Sequence, residues 1–573
     1  MNTIFLKHTE KTPVCIAFPP AITTHAFEAA ERLSVFIADL TSIKPVRTTC
    51  DVPAGRDAVL PGKGAPAAAG KGFADVKMFG ICTPELICNK SENGENSMLG
   101  LLTASEETLQ LAVEKLIMSL KPSDGGLVCD ASFLSESFTL PRYIKYLPVP
   151  AGGAFAADRR SHMSCDQTVY TGVDENVYLD YLEKVSASGF SKVSEREVCG
   201  NRFARFIRSG VAAYIYYTPY NSTLRMIAEP ESNMHTDRAL YRADRNVKPL
   251  MTVIGARFST TSRYLNCDSG CGNMGYVFRL GDGRFIIVDG GTEIGDYADR
   301  IMDTLRSQSE GGKIRIACWF MSHTHIDHTG AFLKISQAYA DEIEIEEIAC
   351  NFPSIPDAEA YREAWNTRRV GEAAFRVFPN AAFTKPHTGE VFRYGSTEIE
   401  VICCQDDTVS RYFSILNDGY TLNSASLCIR LRIAGNTVIL PADCDEVCGK
   451  IMTGMYGDYL KSDILQVCHH GGWGGSTALY EKIDPELAIF STSDELLPKY
   501  LQIQYNHDLV YGMHVVEVHN NADRCRTFEL PYHPTEKVIP PDPKEDILYT
   551  KAKQLEALAA IELLRKAANE EKR

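Results

Sequence analysis

Between Phe320 and Phe332 the chain reads FMSHTHIDHTGAF, which gathers His323, His325 and His328 around Asp327. Core packing does not call for this in a chain of 573 residues with only 14 histidines. Buried imidazoles and carboxylates cost free energy unless something pairs with them, and a divalent cation is the simplest such partner. His323 and His325 stand two apart after the strand-like IRIACWF, and alternate residues of an extended segment share a face. Both imidazoles can therefore reach one cation. Asp327 and His328 follow at the turn, where they can reach a second. Zinc accepts nitrogen and carboxylate ligands, and its catalytic sites keep one position open.

Such side chains need rigid elements behind them. From about residue 250 to 535 the sequence shows short strands and Gly-rich turns, and YVFRLGDGRFIIVDGG reads as a hairpin through Gly281, Asp282 and Gly283. Two smaller domains are expected upstream. The first, α/β, covers residues 1–145: a strand-like PVCIAFP, then a helix with Phe27, Ala30, Leu33, Phe36 and Leu40 on one face. A second helix starts at Thr103 with Glu106 three residues on, a capping-box pattern, and carries Leu109, Ala112, Leu116 and Leu120 as its apolar stripe. Asp51 to Gly72, rich in Gly, Ala and Pro, reads as an insertion, and PVPAGGAFAADRRSHMS as a linker. The second domain, α+β, covers residues 165–245. Its helix is marked by Val177, Tyr181, Leu182 and Val185, and NRFARFIR, VAAYIYYTP and LRMIAEP read as strands. After PPDPKED, residues 542–573 read as a charged helix, a candidate contact with the body or with a second copy in a homo-oligomer.

The motif H-x-H-x-D-H, matched by SHTHIDHTG, resembles the signature of the metallo-β-lactamase fold hydrolase superfamily. FIIVDGG resembles its first motif, with Asp289 after a strand. NTVILPADCDE resembles the later strand whose aspartate bridges two metals, here Asp443. SDILQVCHHGGWGGST and LNSASLCIRLRIAGNTVILPAD resemble one branch, the hydrolase domain of ComEC-type DNA-uptake proteins and related phosphodiesterases. In that branch Asn423 and Ser426 stand where most members carry another metal-binding histidine. The resemblance covers about half the chain. It implies an α/β fold, an αββα sandwich in the C-terminal half preceded by the two small domains.

The activity implied is metal-dependent hydrolysis, with two Zn2+ per chain (Mn2+ or Fe2+ as alternatives), acting on a phosphodiester through a metal-bound hydroxide. The implied ligands are His323, His325, Asp327, His328 and Asp443, with Asp327 also orienting the nucleophile and Asp289 fixing a ligand's orientation. The sequence departs from the pattern in one respect: no histidine occurs between His387 and His469, so the usual third ligand is missing. His469 or His470 is expected to replace it, and His470 is the candidate acid for the leaving group. His387 is expected at the surface, and Trp473 in the pocket wall. His507, in QYNHDL, stands where a last metal-site histidine often lies, with an exposed loop histidine as the alternative. His514 and His519 are expected on outward strand positions. Other readings of the same site are hydrolysis of another ester, amide or lactone bond, a di-iron oxidoreductase, or a non-catalytic binding protein.

A formal charge of −15 argues against a large nucleic-acid footprint while leaving room for a small phosphoester substrate. No apolar run approaches the roughly 18 residues that span a bilayer, which rules out a DNA-uptake channel and any membrane partner. The N-terminal sequence lacks a signal peptide's pattern. The expectation is therefore a cytoplasmic protein whose 18 cysteines are mostly reduced, buried thiols.

Overall fold

Period-two alternation in the second half sorts side chains onto the faces of two sheets. In Cys428–Ile433, Ile429, Leu431 and Ile433 enter one core and Cys428 the other. In Asn436–Leu440, Val438 and Leu440 are separated from Ile439 in the same way, and in Leu487–Phe490 Leu487 and Ile489 from Ala488 and Phe490. Strands with both faces apolar must be covered on both sides.

The computed structural model describes residues 143–544 except 162–164, 236–241, 256–272, 354–363, 379, 409–421 and 521–523, together with parts of the first 130 residues. The chain divides into two compact units: Met1–Lys145 with Ile355–Pro379, and Tyr146–Ser354 with Asn380–Arg573. No helix among the described residues is long and apolar enough to cross a membrane.

In the second unit, strands Phe285–Asp289, Ile314–Met321, Glu347–Cys350 and Ala382–Thr384 run parallel. Gly275–Arg279, Leu250–Val253 and Arg526–Glu529 extend that sheet antiparallel. A second sheet of seven strands carries the parallel set Asn436–Leu440, Ile464–Gln466, Leu487–Phe490 and Glu517–Asn520. The two sheets share one core, in which Tyr276, Phe278, Ile286 and Phe320 meet Ile399, Val401, Ile429 and Leu440. Parallel neighbours need crossovers, and helices Tyr297–Gln308, Ile326–Ala338, Glu446–Tyr456 and Thr477–Ile483 supply them. Ile326–Ala338 covers the first sheet, where Trp319 packs edge-on against Phe332 at 5.0 Å. Met452, Tyr456, Leu479 and Tyr480 cover the second. The result is an αββα sandwich.

The same unit includes a six-stranded antiparallel sheet from Ala154–Ser161 to Thr223–Pro230. Its Phe203, Tyr214, Tyr216 and Ile227 belong to the core that also holds Ile402, Met452 and Tyr456. Residues 154–161, read from sequence as linker, instead form an edge strand paired with Cys165–Thr171. Their alanines and charged side chains hid this, because backbone pairing rather than side-chain pattern makes the strand.

In the first unit, helix Thr24–Thr41 buries Ala30, Leu33 and Ile37 against Leu6, Ile16, Leu116, Leu120 and Leu127. Helix Ala364–Val377, which is inserted between strands of the sandwich in sequence, packs on Thr24–Thr41 and buries Val370, Ala373 and Ala374. The expected helix start at Thr103, most of the insertion at 51–72 and the expected C-terminal helix from 545 onward lie outside the described residues.

Candidate metal centre

The residues singled out in the sequence follow the carboxyl ends of four parallel strands, two in each sheet. This is where open α/β sheets place their ligands. Asp289 closes Phe285–Asp289, and His323 follows Ile314–Met321. Asp443 follows Asn436–Leu440, and His469 and His470 follow Ile464–Gln466. Each chain turns sharply there. Asp289, Ala442, His469 and His470 take φ values of +56°, +53°, +47° and +58°. The left-handed region costs a residue with a Cβ about 1–2 kcal/mol, and such outliers cluster at functional sites. Gln466 clamps the turn at Ala442: its Oε1 accepts from Ala442 N (2.7 Å) and its Nε2 donates to Ala442 O (3.0 Å).

Asp443 sits at the middle, 1% exposed. His328 Nε2 and His470 Nε2 lie 3.1 and 3.4 Å from its Oδ1, while His469 Nε2 and His323 Nε2 lie 3.5 and 3.7 Å from its Oδ2. His325 Nδ1 is 2.9 Å from His323 Nε2, and Asp327 Oδ2 is 3.4 Å from His470 Nε2. The side chains thus sort into two sets, one per carboxylate oxygen. His323, His325 and His469 form one, and Asp327, His328 and His470 the other. The ligand atoms of His323, His328 and Asp443 lie within 4.8 Å of one another, as do those of Asp327, His328 and His470.

An outer ring aims these imidazoles. Asp289 Oδ1 accepts from Ser322 N (2.8 Å), and its Oδ2 accepts from Ser322 Oγ (2.8 Å) and faces His328 Nδ1 (2.8 Å). With its proton given to Asp289, Ser322 Oγ is left to accept from His323 Nδ1 at 3.0 Å. His470 Nδ1 donates to Ser491 O at 3.1 Å. In all three rings Nδ1 is the donor, so Nε2 is the atom turned to the centre, the arrangement that prepares histidine for a metal. His328 Nε2, His470 Nε2 and Asp443 Oδ1 are buried and form no hydrogen bond. Three converging donor atoms without hydrogen bonds fit a cation.

The electrostatics agree. Burial opposes charge on His328, yet Asp443 and Asp289 outweigh it and hold the ring well above the usual imidazole range. His470 is raised against its own burial to about 9 by Asp443 and Asp327. Burial pushes His323 well below that range, with His328 and His325 adding to the effect. Asp443 is held well below the usual carboxylate range, because His328, His470 and His469 outweigh its burial.

Of the other expected residues, Asn423 meets the centre, its Nδ2 3.4 Å from His469 Nε2, and Ser426 is buried and bonded through its backbone to Asn423. Trp473 is 76% exposed, and His507 pairs with Asp542 at 3.1 Å. His387, expected at the surface, is completely buried between Glu229 and Asp406, because the six-stranded sheet covers the segment that carries it. His519 is likewise buried, packed edge-on against Phe528 at 5.8 Å. Sequence reasoning missed Ser322, Gln466 and Ser491. Ser322 directly precedes the motif, but the other two carry no signal of their own.

No protein-family model matches the chain, and no curated protein matches it. Among solved structures, that of unliganded yeast PDE1 is similar over 50% of this chain and 100% of its own, at 11% identity and a TM-score of 0.29.

Proposed function

We propose that the chain is a hydrolase dependent on two divalent cations, zinc in the first instance, and that it cleaves a phosphodiester. The observation that carries this reading is the division of four imidazoles, two to each oxygen, around one buried aspartate. His323, His325 and His469 would hold one cation and Asp327, His328 and His470 the other, with Asp443 shared. In this arrangement His469 takes the place of the absent third histidine. Such a pair of cations acidifies water and clamps the attacking and leaving oxygens of an in-line displacement.

The chain's own residues do the rest. Asp289 and Ser322 hold His323 and His328 in one tautomer, and Ser491 O does so for His470. Asp327, partly exposed at the mouth and 3.4 Å from His470, would hold its cation and orient the attacking water there. The substrate is a small phosphoester, consistent with the acidic net charge.

The test is metal analysis of the purified protein, followed by a panel of a model phosphodiester, a carboxylic ester, a lactone and a lactam. Phosphodiester turnover that is lost on chelation and restored by Zn2+ or Mn2+ is expected. Turnover of the lactone or the ester alone would overturn the substrate class. Absence of bound metal would overturn the hydrolase reading.

A further inference from the structure

A second donor set lies buried between the six-stranded sheet and the sandwich, on groups that the centre above does not use. Cys165 opens strand Cys165–Thr171, and Glu229 lies near the end of its antiparallel partner Thr223–Pro230, where Asp166 pairs with Ala228. His387 comes from the sandwich, beyond strand Ala382–Thr384. The three are 1%, 0% and 0% exposed, and their ligand atoms lie within 4.8 Å of one another. A thiol, a carboxylate and an imidazole from three separate segments do not meet in a core by apolar packing.

The histidine is oriented as a ligand would be. Its Nδ1 donates to Asp406 Oδ2 at 2.7 Å, which directs Nε2 to Glu229 Oε1 at 3.1 Å. Asp406 is itself fixed by Asn351 Nδ2 (3.0 Å) and Cys404 Sγ (3.1 Å), and Glu229 Oε2 by Asn233 Nδ2 (3.2 Å). A carboxylate behind a buried histidine that faces other donors is the usual outer partner of a metal-bound imidazole. A second observation is independent of this. Lys385 is wholly buried and its ammonium makes no hydrogen bond, while its charge acts on both Cys165 and Asp406. A buried ammonium without hydrogen bonds is costly, and a thiolate at Cys165 would add to the counter-charge that Asp406 supplies.

We propose that Cys165, Glu229 and His387 form a third metal site, structural rather than catalytic, which takes a divalent cation of the zinc class. Binding releases two protons, one from the Cys165 thiol and one from His387 Nε2, and admits one doubly charged ion. The net charge of the buried cluster is therefore unchanged, and no oxidant or reductant is needed. Zinc accepts sulfur, nitrogen and carboxylate oxygen together. The ion would tie two strands of the six-stranded sheet to the sandwich segment that carries His387.

The test uses the full chain loaded with Co2+, for which a thiolate ligand gives an intense near-ultraviolet charge-transfer band. No sulfur is among the ligands assigned to the centre around Asp443, and Cys165→Ser identifies the thiolate from which the band arises. The expected result is a band in the parent protein and in Asp443→Asn, lost in Cys165→Ser together with one equivalent of metal. Phosphodiester turnover per folded molecule should not change in Cys165→Ser. The parent spectrum needs no variant, so a destabilised Cys165→Ser protein does not remove the test. Absence of the band from the fully loaded parent overturns the proposal. So does a band that survives in Cys165→Ser, or a metal count that this substitution leaves unchanged.

Discussion

Asp443 is the residue through which both sets of ligands communicate, since each of its oxygens faces two imidazoles. Asp443→Asn keeps the shape and removes the charge. Bound metal should fall by at least one equivalent, and turnover of a model phosphodiester should fall by orders of magnitude, as read by metal analysis and initial rates. Asp445→Asn is the control. Asp445 caps helix Glu446–Tyr456, its Oδ1 accepting from Val447 N and Cys448 N at 3.0 Å each, and asparagine caps almost as well. It should leave both readings nearly unchanged. Asp289→Asn turns an amide toward donors that need an acceptor, and should weaken metal affinity about 10–100-fold without unfolding the chain. At this scale the sequence was informative where spacing alone carries meaning: His323, His325, Asp327 and His328 lie within one turn of chain. It was less so for His469 and His470, whose division between the two oxygens of Asp443 depends on a left-handed turn. It was uninformative for His387, because burial under a distant sheet leaves no local pattern.

The elements hold these side chains by close approach as much as by hydrogen bonding. Helix Ile326–Ala338 brings Asp327 and His328 to the centre, and at Gly330 it lies directly on the loop after Asp289. A Cβ there would stand 2.2 Å from Glu293 N and 2.6 Å from Thr292 C, both backbone atoms that cannot rotate away. Gly330→Ala should therefore push the helix off the sheet. We expect a loss of about 1–3 kcal/mol in stability, with weakened metal binding, measured by denaturant melts and metal titration. Strand Glu517–Asn520 shows a different constraint. Burial, with Arg526 adding to it, lowers His519 to about 4. The unfolded chain takes up a proton near pH 6.5 and the folded chain does not, so stability is intact above that pH and falls as pH drops toward 4. Up to about 3 kcal/mol is at stake. His519→Phe should flatten this acid limb in melts at pH 4–7, and an unchanged limb would show that His519 is not its source. The hairpin around Gly281, Asp282 and Gly283 and the strand Phe285–Asp289 were legible, because alternation and turn chemistry agree there. The edge strand at 154–161 was not, since its partner supplies the evidence for it.

In the larger unit, the six-stranded sheet and the sandwich are joined by buried charge as well as by apolar contact. Asp407 takes Tyr216 OH at 3.0 Å and has Arg225 Nε at 3.8 Å, and both partners come from the six-stranded sheet. Removing one member of a buried pair costs about 3–5 kcal/mol. Burial raises Asp407 even beside Arg225, which places Arg225→Met at the lower end of that range. Hydrogen exchange should report the same loss in Val211–Thr218 and in Ile314–Met321. A loss confined to the first strand would mean that the sheet opens independently. The resemblance carried by the H-x-H-x-D-H motif implied the αββα part, but nothing local showed that residues 355–379 group with the first unit. That grouping has a consequence for synthesis. Helix Thr24–Thr41 must wait for its partner Ala364–Val377, so the first unit stays incomplete until about two thirds of the 573 residues have left the ribosome. Until then the surface of Thr24–Thr41 that receives Ala364–Val377 is open to other chains or to a chaperone, and slow translation between residues 145 and 364 should raise aggregation rather than relieve it.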